Sequence, residues 1–320
     1  MRKRGHSSSA TKVRQSASLE THAGVGSHYH VAVFGASLRW LRLVVYFLAL
    51  LVVCLYCEVI GRVWSLWLAP EGSKARVRRA NLVTRHWHVS LTELTLRVLQ
   101  PRLEVRGVVP PGRYIVVSNH QSTADVAILP WALRSLNVKF VAKNELGTGI
   151  PTVSMALKHW GSALISREAS REDIARLKVM ARGLARWDGS VVIFPEGTRS
   201  RDGRLLPYRA AGVRIVATEA QLPLLPVAID GTHVAPDLPR FALHMPGAGG
   251  TITIGTPVPM EQWTGRIEEV VEDIRTWARA TIEAGRRDGK VQPPHGWTAS
   301  EVDASRPVEL SADESRPTAW

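Results

Sequence analysis

An α/β fold is predicted for most of this 320-residue chain, on three observations. Past Pro110, short apolar runs alternate with amphipathic stretches, the pattern of strands and helices packed in layers. Hydrophobic residues at 45% and charged residues at 22% sit near the globular average, which excludes a wholly disordered chain, a collagen and a polytopic membrane protein. The two cysteines, Cys54 and Cys57, both fall in the single strongly apolar segment, so the fold rests on a core rather than on disulfides or zinc.

Residues 1–30 are rich in Ser, His, Lys and Arg without a hydrophobic period, a composition that does not offset the entropy of ordering; they read as a disordered basic arm. Residues 31–70 read as a hydrophobic membrane anchor. Its charge-free run, the 15 residues Leu43–Cys57, is about 22 Å long as a helix against a hydrocarbon core of roughly 30 Å. Arg39 and Arg42 can snorkel at one end, Glu58 and Arg62 are spaced to pair at the other, and Trp40, Trp64 and Trp67 suit the interface. Basic residues flank the run on both sides, Arg2, Lys3, Arg4, Lys12 and Arg14 before, Lys74, Arg76, Arg78, Arg79 and Arg85 after. Two topologies therefore stay open, a span and a helix that dips in and returns with a break near Glu58–Gly61 and an end at Pro70. The late start of the apolar run and the lack of an A-x-A-like site after it speak against a cleaved signal peptide.

The net charge of +13 invites a nucleic-acid reading, and its location answers it. Residues 1–110 hold 16 Lys/Arg against 5 Asp/Glu, whereas 290–320 hold 3 against 5. A basic excess gathered around the apolar segment fits anionic lipid head groups, and no nucleic-acid partner is expected. Cys54 and Cys57 read as small apolar residues on one helix face. His86 and His88 lack a third ligand at a plausible spacing, read as surface or interface residues, and no metal site is expected.

Residues 71–289 form the predicted catalytic domain and 290–320 a flexible tail. Strands are expected at Tyr114–Ser118, Val138–Ala142, Ser162–Ile165, Val191–Phe194, Leu225–Ile229 and Thr251–Ile254. Helices are expected at Thr123–Leu136, Arg171–Trp187, Ala210–Ala220 and Trp263–Ala284, the second capped by Ser170 with Glu172 and Asp173 in its first turn.

Two loops carry the chemistry. Ser118-Asn119-His120-Gln121-Ser122-Thr123-Ala124-Asp125 follows a strand and opens a helix. His120 can serve as a general base if Asp125 holds its other ring nitrogen. On a continuous helix five positions would separate the two by about 140°, so a turn at Gln121–Thr123 is required. Alternatively Ser122 and Asp125 form only a capping box. The second loop, Phe194-Pro195-Glu196-Gly197-Thr198-Arg199-Ser200, ends an apolar strand. It reads either as an anion site built from turn amides and a guanidinium or as an ordinary turn with a surface Glu–Arg pair.

Together, N-H-x-x-x-x-D and F-P-E-G-T-R resemble the glycerolipid acyltransferases, above all the 1-acylglycerol-3-phosphate O-acyltransferase family. Four blocks match in order over about 80–285: Asn119–Asp125, Gly161–Arg167, Phe194–Ser200 and Leu222–Ile229. The resemblance implies a single acyltransferase domain with a mixed β-sheet flanked by helices, behind the membrane-anchoring segment. It implies His120 and Asp125 as catalytic pair, and Arg167, Glu196, Gly197, Thr198 and Arg199 as the holders of the acceptor phosphate. The reaction implied moves a fatty acyl group from acyl-CoA or acyl-carrier protein, as co-substrate and without a cofactor, to a lysophospholipid hydroxyl, giving phosphatidic acid; the basic flanks of the anchor, by the positive-inside rule, put the catalytic domain on the cytoplasmic side of the membrane. No G-x-S-x-G elbow suggests a covalent intermediate. The sequence departs from the family at Pro207–Gly212, where a Phe-Lys-x-Gly element is common, and at Ile165-Ser166-Arg167, where many members have Asp-Arg. Another lysolipid acceptor, such as a lyso-ornithine lipid, and a non-catalytic module that reads anionic lipids are the competing functions.

Overall fold

The computed structural model describes residues 40–67, 70, 74–149, 153–154, 157, 162–166, 170–187, 189–235, 240, 244, 246 and 248–289. The expected basic arm and tail lie outside the described residues, as do Arg39 and Arg167. Seven strands form one sheet: β1 (Arg102–Arg106), β2 (Ile115–Ser118), β3 (Val138–Lys143), β4 (Ala163–Ile165), β5 (Ser190–Ile193), β6 (Leu224–Asp230) and β7 (Gly249–Ile254). Their order is β1-β7-β6-β2-β5-β3-β4, parallel everywhere except between β6 and β7. The sheet is thus mixed, as expected, and its central strands β2, β5 and β6 are buried at every position. Strands covered on both faces read as unbroken apolar runs, which is how the sequence exposes them.

Alternate side chains feed two cores. Val116, Val192, Leu225, Val227 and Ile229 face one layer, with Ile128, Leu129 and Leu133 of α3 (Asp125–Ala132) and its C-terminal turn. Ile115, Val117, Val191, Ile193 and Leu224 face the other. That second layer is built from α4 (Arg171–Trp187), α5 (Ala210–Ala220), the single turn α6 (Met260–Trp263) and α7 (Ile267–Arg287). α4 starts as expected: Ser170 Oγ accepts from Asp173 N at 3.2 Å and Asp173 Oδ2 from Ser170 N at 3.1 Å, a reciprocal cap. α3 is shorter than the expected Thr123–Leu136, because residues 120–124 are held in a turn by side chains described below.

Ahead of the sheet, α1 (Trp40–Trp64) is long and apolar enough, by length and composition, to cross a membrane. It runs on into π-helical winding over Gly61–Trp67. Arg62 Nε donates to Glu58 Oε1 at 2.7 Å, the pair expected from their spacing. α2 (Lys74–Val98) packs along α1. Cys57 lies between Val83 and Trp87, and Tyr46 Oη meets Thr95 Oγ1 at 3.1 Å. Leu43 and Tyr46 also enter the first core layer, so the inner face of α1 is part of the domain, while Leu41, Val44, Leu48, Leu51, Val52, Leu55 and Val59 face outward.

His88 corrects an expectation: it is no surface residue but is buried beside Trp87 and Phe140, and burial pushes its pKa down to about 3, so the ring is neutral. His86, by contrast, is exposed and meets Tyr56 edge to face. The expected helix Trp263–Ala284 is divided between α6 and α7, and β1 and α2 are elements that the sequence reading did not contain.

Candidate active site

β2 and β5 are parallel neighbours, with Val117 opposite Ile193, so their carboxyl ends deliver the two motif loops to one edge of the sheet. The chain leaves β2 for α3 on one face and β5 for α5 on the other. A crevice opens where connections diverge in this way, the general ligand position of open α/β sheets.

Asn119 fixes the first loop. Its Nδ2 donates to Ile229 O at 2.8 Å and its Oδ1 accepts from Ile229 N at 2.7 Å, so a side chain continues the ladder from β2 to β6. His120 comes next. Its Nδ1 meets Asp125 Oδ2 at 2.8 Å, its ring lies flat on Phe194 with centroids 4.0 Å apart, and its side chain is 15% exposed. With Nδ1 engaged by the carboxylate, Nε2 is left as the nitrogen that can take a proton.

Asp125 is fully buried and accepts four bonds. Besides His120, Oδ2 takes Gln121 N at 2.7 Å and Ser122 N at 2.9 Å, while Oδ1 takes Thr232 Oγ1 at 2.7 Å. Helix start and His–Asp pair are therefore one structure. Asp125 reaches back to Ser122 N as a capping box requires, whereas Ser122 Oγ serves Ala235 O and Ala124 N instead of completing the box. Thr232 arrives because Gly231 turns with φ +91°; a Cβ there would sit 2.2 Å from Gly249 O, so glycine alone fits.

In the second loop the predicted residues separate. Glu196 is buried and faces inward, its Oε1 accepting from His120 N at 2.9 Å and its Oε2 from Leu206 N at 3.3 Å. It is neither half of a surface Glu–Arg pair nor turned toward an exposed anion site; it braces one loop against the other. Burial raises its pKa to about 7. Gly197 and Thr198 are exposed at the tip. Arg199 Nη1 donates to Thr123 Oγ1, and Ser200 N donates to His120 O at 2.7 Å, so the guanidinium is held beside the loop of the His–Asp pair. Arg209 is exposed, and its Nη1 would lie 4.0 Å from a Cβ placed on Gly197. Among the described residues no group of three His, Cys, Asp or Glu side chains could hold a metal ion.

Sequence reasoning did not single out Thr232, Phe194 as a ring support, or Gln121. Gln121 Nε2 donates to Asp230 Oδ1 at 3.2 Å, and Asp230 is paired in turn with Arg286. Asp230 ends the fourth motif block's strand; Arg286 lies in α7 and carries no local signal.

A histidine backed by a buried carboxylate and beside a guanidinium, with the hydroxyls of Ser118, Ser122 and Ser200 turned to Asn119 O, Ala235 O and Asp202 Oδ1, suits direct transfer of an acyl group to a hydroxyl. Residues 102–230 match the model of the Acyltransferase family. Similar proteins include 1-acyl-sn-glycerol-3-phosphate acyltransferases. The one from Cocos nucifera is 28% identical over 241 residues, 74% of this chain and 75% of that protein. The one from Limnanthes douglasii is 31% identical over 51% of this chain and 56% of that protein. The alpha form from Homo sapiens is 31% identical over 52% and 59%. The chain thus spans three quarters of the coconut protein and little over half of the other two. In architecture it is similar to the crystal structure of the 1-acyl-sn-glycerophosphate acyltransferase PlsC from Thermotoga maritima, with a TM-score of 0.50 and 22% identity over 79% of this chain and 99% of that one.

Proposed function

We propose that this chain transfers a fatty acyl group to the free hydroxyl of 1-acylglycerol-3-phosphate, giving phosphatidic acid. The observation that carries the reading is the 2.8 Å contact of His120 Nδ1 with a fully buried Asp125, at the strand end that also holds Arg199. His120 Nε2 takes the proton of the acceptor hydroxyl as the oxygen attacks the thioester carbonyl of acyl-CoA or acyl-carrier protein. The carbon–oxygen bond forms, the carbon–sulfur bond breaks, and the proton passes to the leaving thiolate. Asp125 holds the ring in the tautomer with Nδ1–H and steadies the imidazolium. Arg199, with Thr198, the turn amides at Gly197 and Arg167, binds the acceptor phosphate, a bidentate contact suited to a guanidinium. Glu196 contributes to that site as the brace that fixes the loop.

The outward apolar side of α1 enters the membrane, and anionic lipids meet the basic residues around it. Because the inner face of α1 is packed into the domain core, this reading takes the helix as dipping in beside α2, with the catalytic domain on the cytoplasmic side. The deciding experiment is thiol release from acyl-CoA with lysophosphatidic acid as acceptor. Release that is acceptor-dependent in the parent protein and at least about 10²-fold slower in a folded His120→Ala variant supports the reading. No acceptor-dependent release, with membrane binding intact, would favour a lipid-binding module.

A further inference from the structure

One charged cluster lies outside the motifs and is buried nearly as deeply as Asp125. Arg286, on α7 beyond the family match, has its side chain 3% exposed, and its partner Asp230 is 2% exposed. Arg286 Nε donates to Asp230 Oδ2 at 2.8 Å and Nη2 donates both to Asp230 Oδ1 at 2.6 Å and to Gly203 O at 2.7 Å. A buried pair of this kind adds little net stability over an apolar pair of similar volume, so its presence asks for another reason.

Its contacts supply one. On one side Asp230 Oδ1 accepts from Gln121 Nε2, the residue between His120 and the rest of the Asp125 turn, whose own N–H donates to Asp125. Thr232, two residues past Asp230, donates to the other oxygen of Asp125. On the other side Gly203 closes the loop that begins at Arg199, its N–H donating to Ser200 O at 3.3 Å. Gly203 has φ +77°, and a Cβ there would meet the buried His233 ring at 2.7 Å, so the carbonyl is presented to Arg286 by a turn that glycine permits.

We infer that Arg286 and Asp230 form a positioning clamp that ties the loop of His120 and Asp125 to the loop of Arg199, so that the C-terminal helix sets the alignment of the acceptor hydroxyl against the base. The inference rests on His120 being that base. Neither residue touches substrate; each acts through Gln121 and Gly203. Displacing a reacting group by about 1 Å costs up to about 10²-fold in rate, and the clamp spans both partners of that alignment.

The test replaces the pair together, Asp230→Leu with Arg286→Met, which leaves no buried charge alone. The expected result is a kcat lower by about 10- to 100-fold, donor KM within about twofold, and a melting temperature near the parent's. Gln121→Met cuts the clamp from the His120 loop without touching the ion pair and should show the same kcat loss; should the double variant fail to fold, it decides alone. A folded double variant, or a Gln121→Met variant, with kcat within about twofold of the parent overturns the clamp. His120→Ala is run alongside: if it keeps full turnover, the assignment of the base fails instead, and the two failures are told apart.

Discussion

Asp125→Asn tests the site most sharply, because the structure says how the amide must sit. Asp125 Oδ2 faces three donors, Gln121 N, Ser122 N and the His120 ring, while Oδ1 faces the Thr232 hydroxyl, which can donate or accept. Placing the asparagine NH2 against the three donors would leave two buried backbone amides unpaired, about 1–3 kcal/mol each. The carbonyl oxygen therefore takes the Oδ2 position, the NH2 turns to Thr232, and the His120 tautomer is preserved. What disappears is the charge behind the imidazolium: a charge-assisted bond of about 1.5–3 kcal/mol becomes a neutral one of about 0.5–1.5 kcal/mol, a difference of about 1–1.5 kcal/mol or roughly 5- to 15-fold in turnover. Thiol release, with melting curves as control, measures the loss. Unchanged turnover in a folded variant refutes the catalytic pair. A loss near 10⁴-fold, the size seen when an asparagine forces the wrong tautomer, refutes the orientation argued here.

Further outcomes follow from the same geometry. Arg199→Lys loses the bidentate contact and should cost about ten- to a hundredfold in acceptor kcat/KM, with donor kinetics little changed; equal losses for acceptors with and without phosphate would place the phosphate elsewhere. Glu196, with a pKa raised to about 7 by burial, contributes stability that is present below its ordinary value and lost as pH rises through about 7. The melting temperature of Glu196→Gln relative to the parent should therefore improve between about pH 5 and about pH 8, and a pH-independent difference would contradict the shift. Leu48→Asp with Val52→Asp, on the outward side of α1, should lower membrane partition steeply, at about 2.5–3.5 kcal/mol per charge if these positions reach the bilayer centre, without changing the fold. Retention of that variant in membranes at high salt would move the anchor to another surface. Deleting α1 outright is a poorer test, since Leu43 and Tyr46 belong to the core.

What could be read from sequence follows burial and locality. The central strands stood out because parallel strands buried on both faces are apolar throughout, and α4 carries a cap and a period, α5 a period, in their own residues. β1, Arg-Leu-Glu-Val-Arg, is an edge strand with only intermediate or exposed positions, so it offers no apolar run. α2 does carry a helical period, Val83, Trp87, Leu91, Leu94 and Val98, but its basic N-terminal half drew attention as a membrane flank. The His120–Asp125 pair is five residues apart and was legible; Thr232, Asp230 and Arg286 join it over separations of 107, 109 and 56 residues between partners, and side chains meeting across such distances leave no spacing to find. Glu196 differs for a related reason: an arginine, Arg199, stands three residues on in sequence, yet its partners are the N–H groups of His120 and Leu206.

The capping and catalytic readings of Asp125 do not compete, and the reason is geometric. A carboxylate within a continuous helix would point well away from a histidine five residues earlier. Here the helix begins at Asp125, and the residues before it are wound back by the same Oδ2 that holds the imidazole. The turn amides and the ring thus share one acceptor, so forming the helix start also places the base. Phe194 limits the ring from its face and Glu196 fixes the backbone of His120 from the second loop, each supplied by the neighbouring strand β5. The alignment of the base is accordingly a property of how β2 and β5 pair, which is why the two motifs, some seventy residues apart, act as one site.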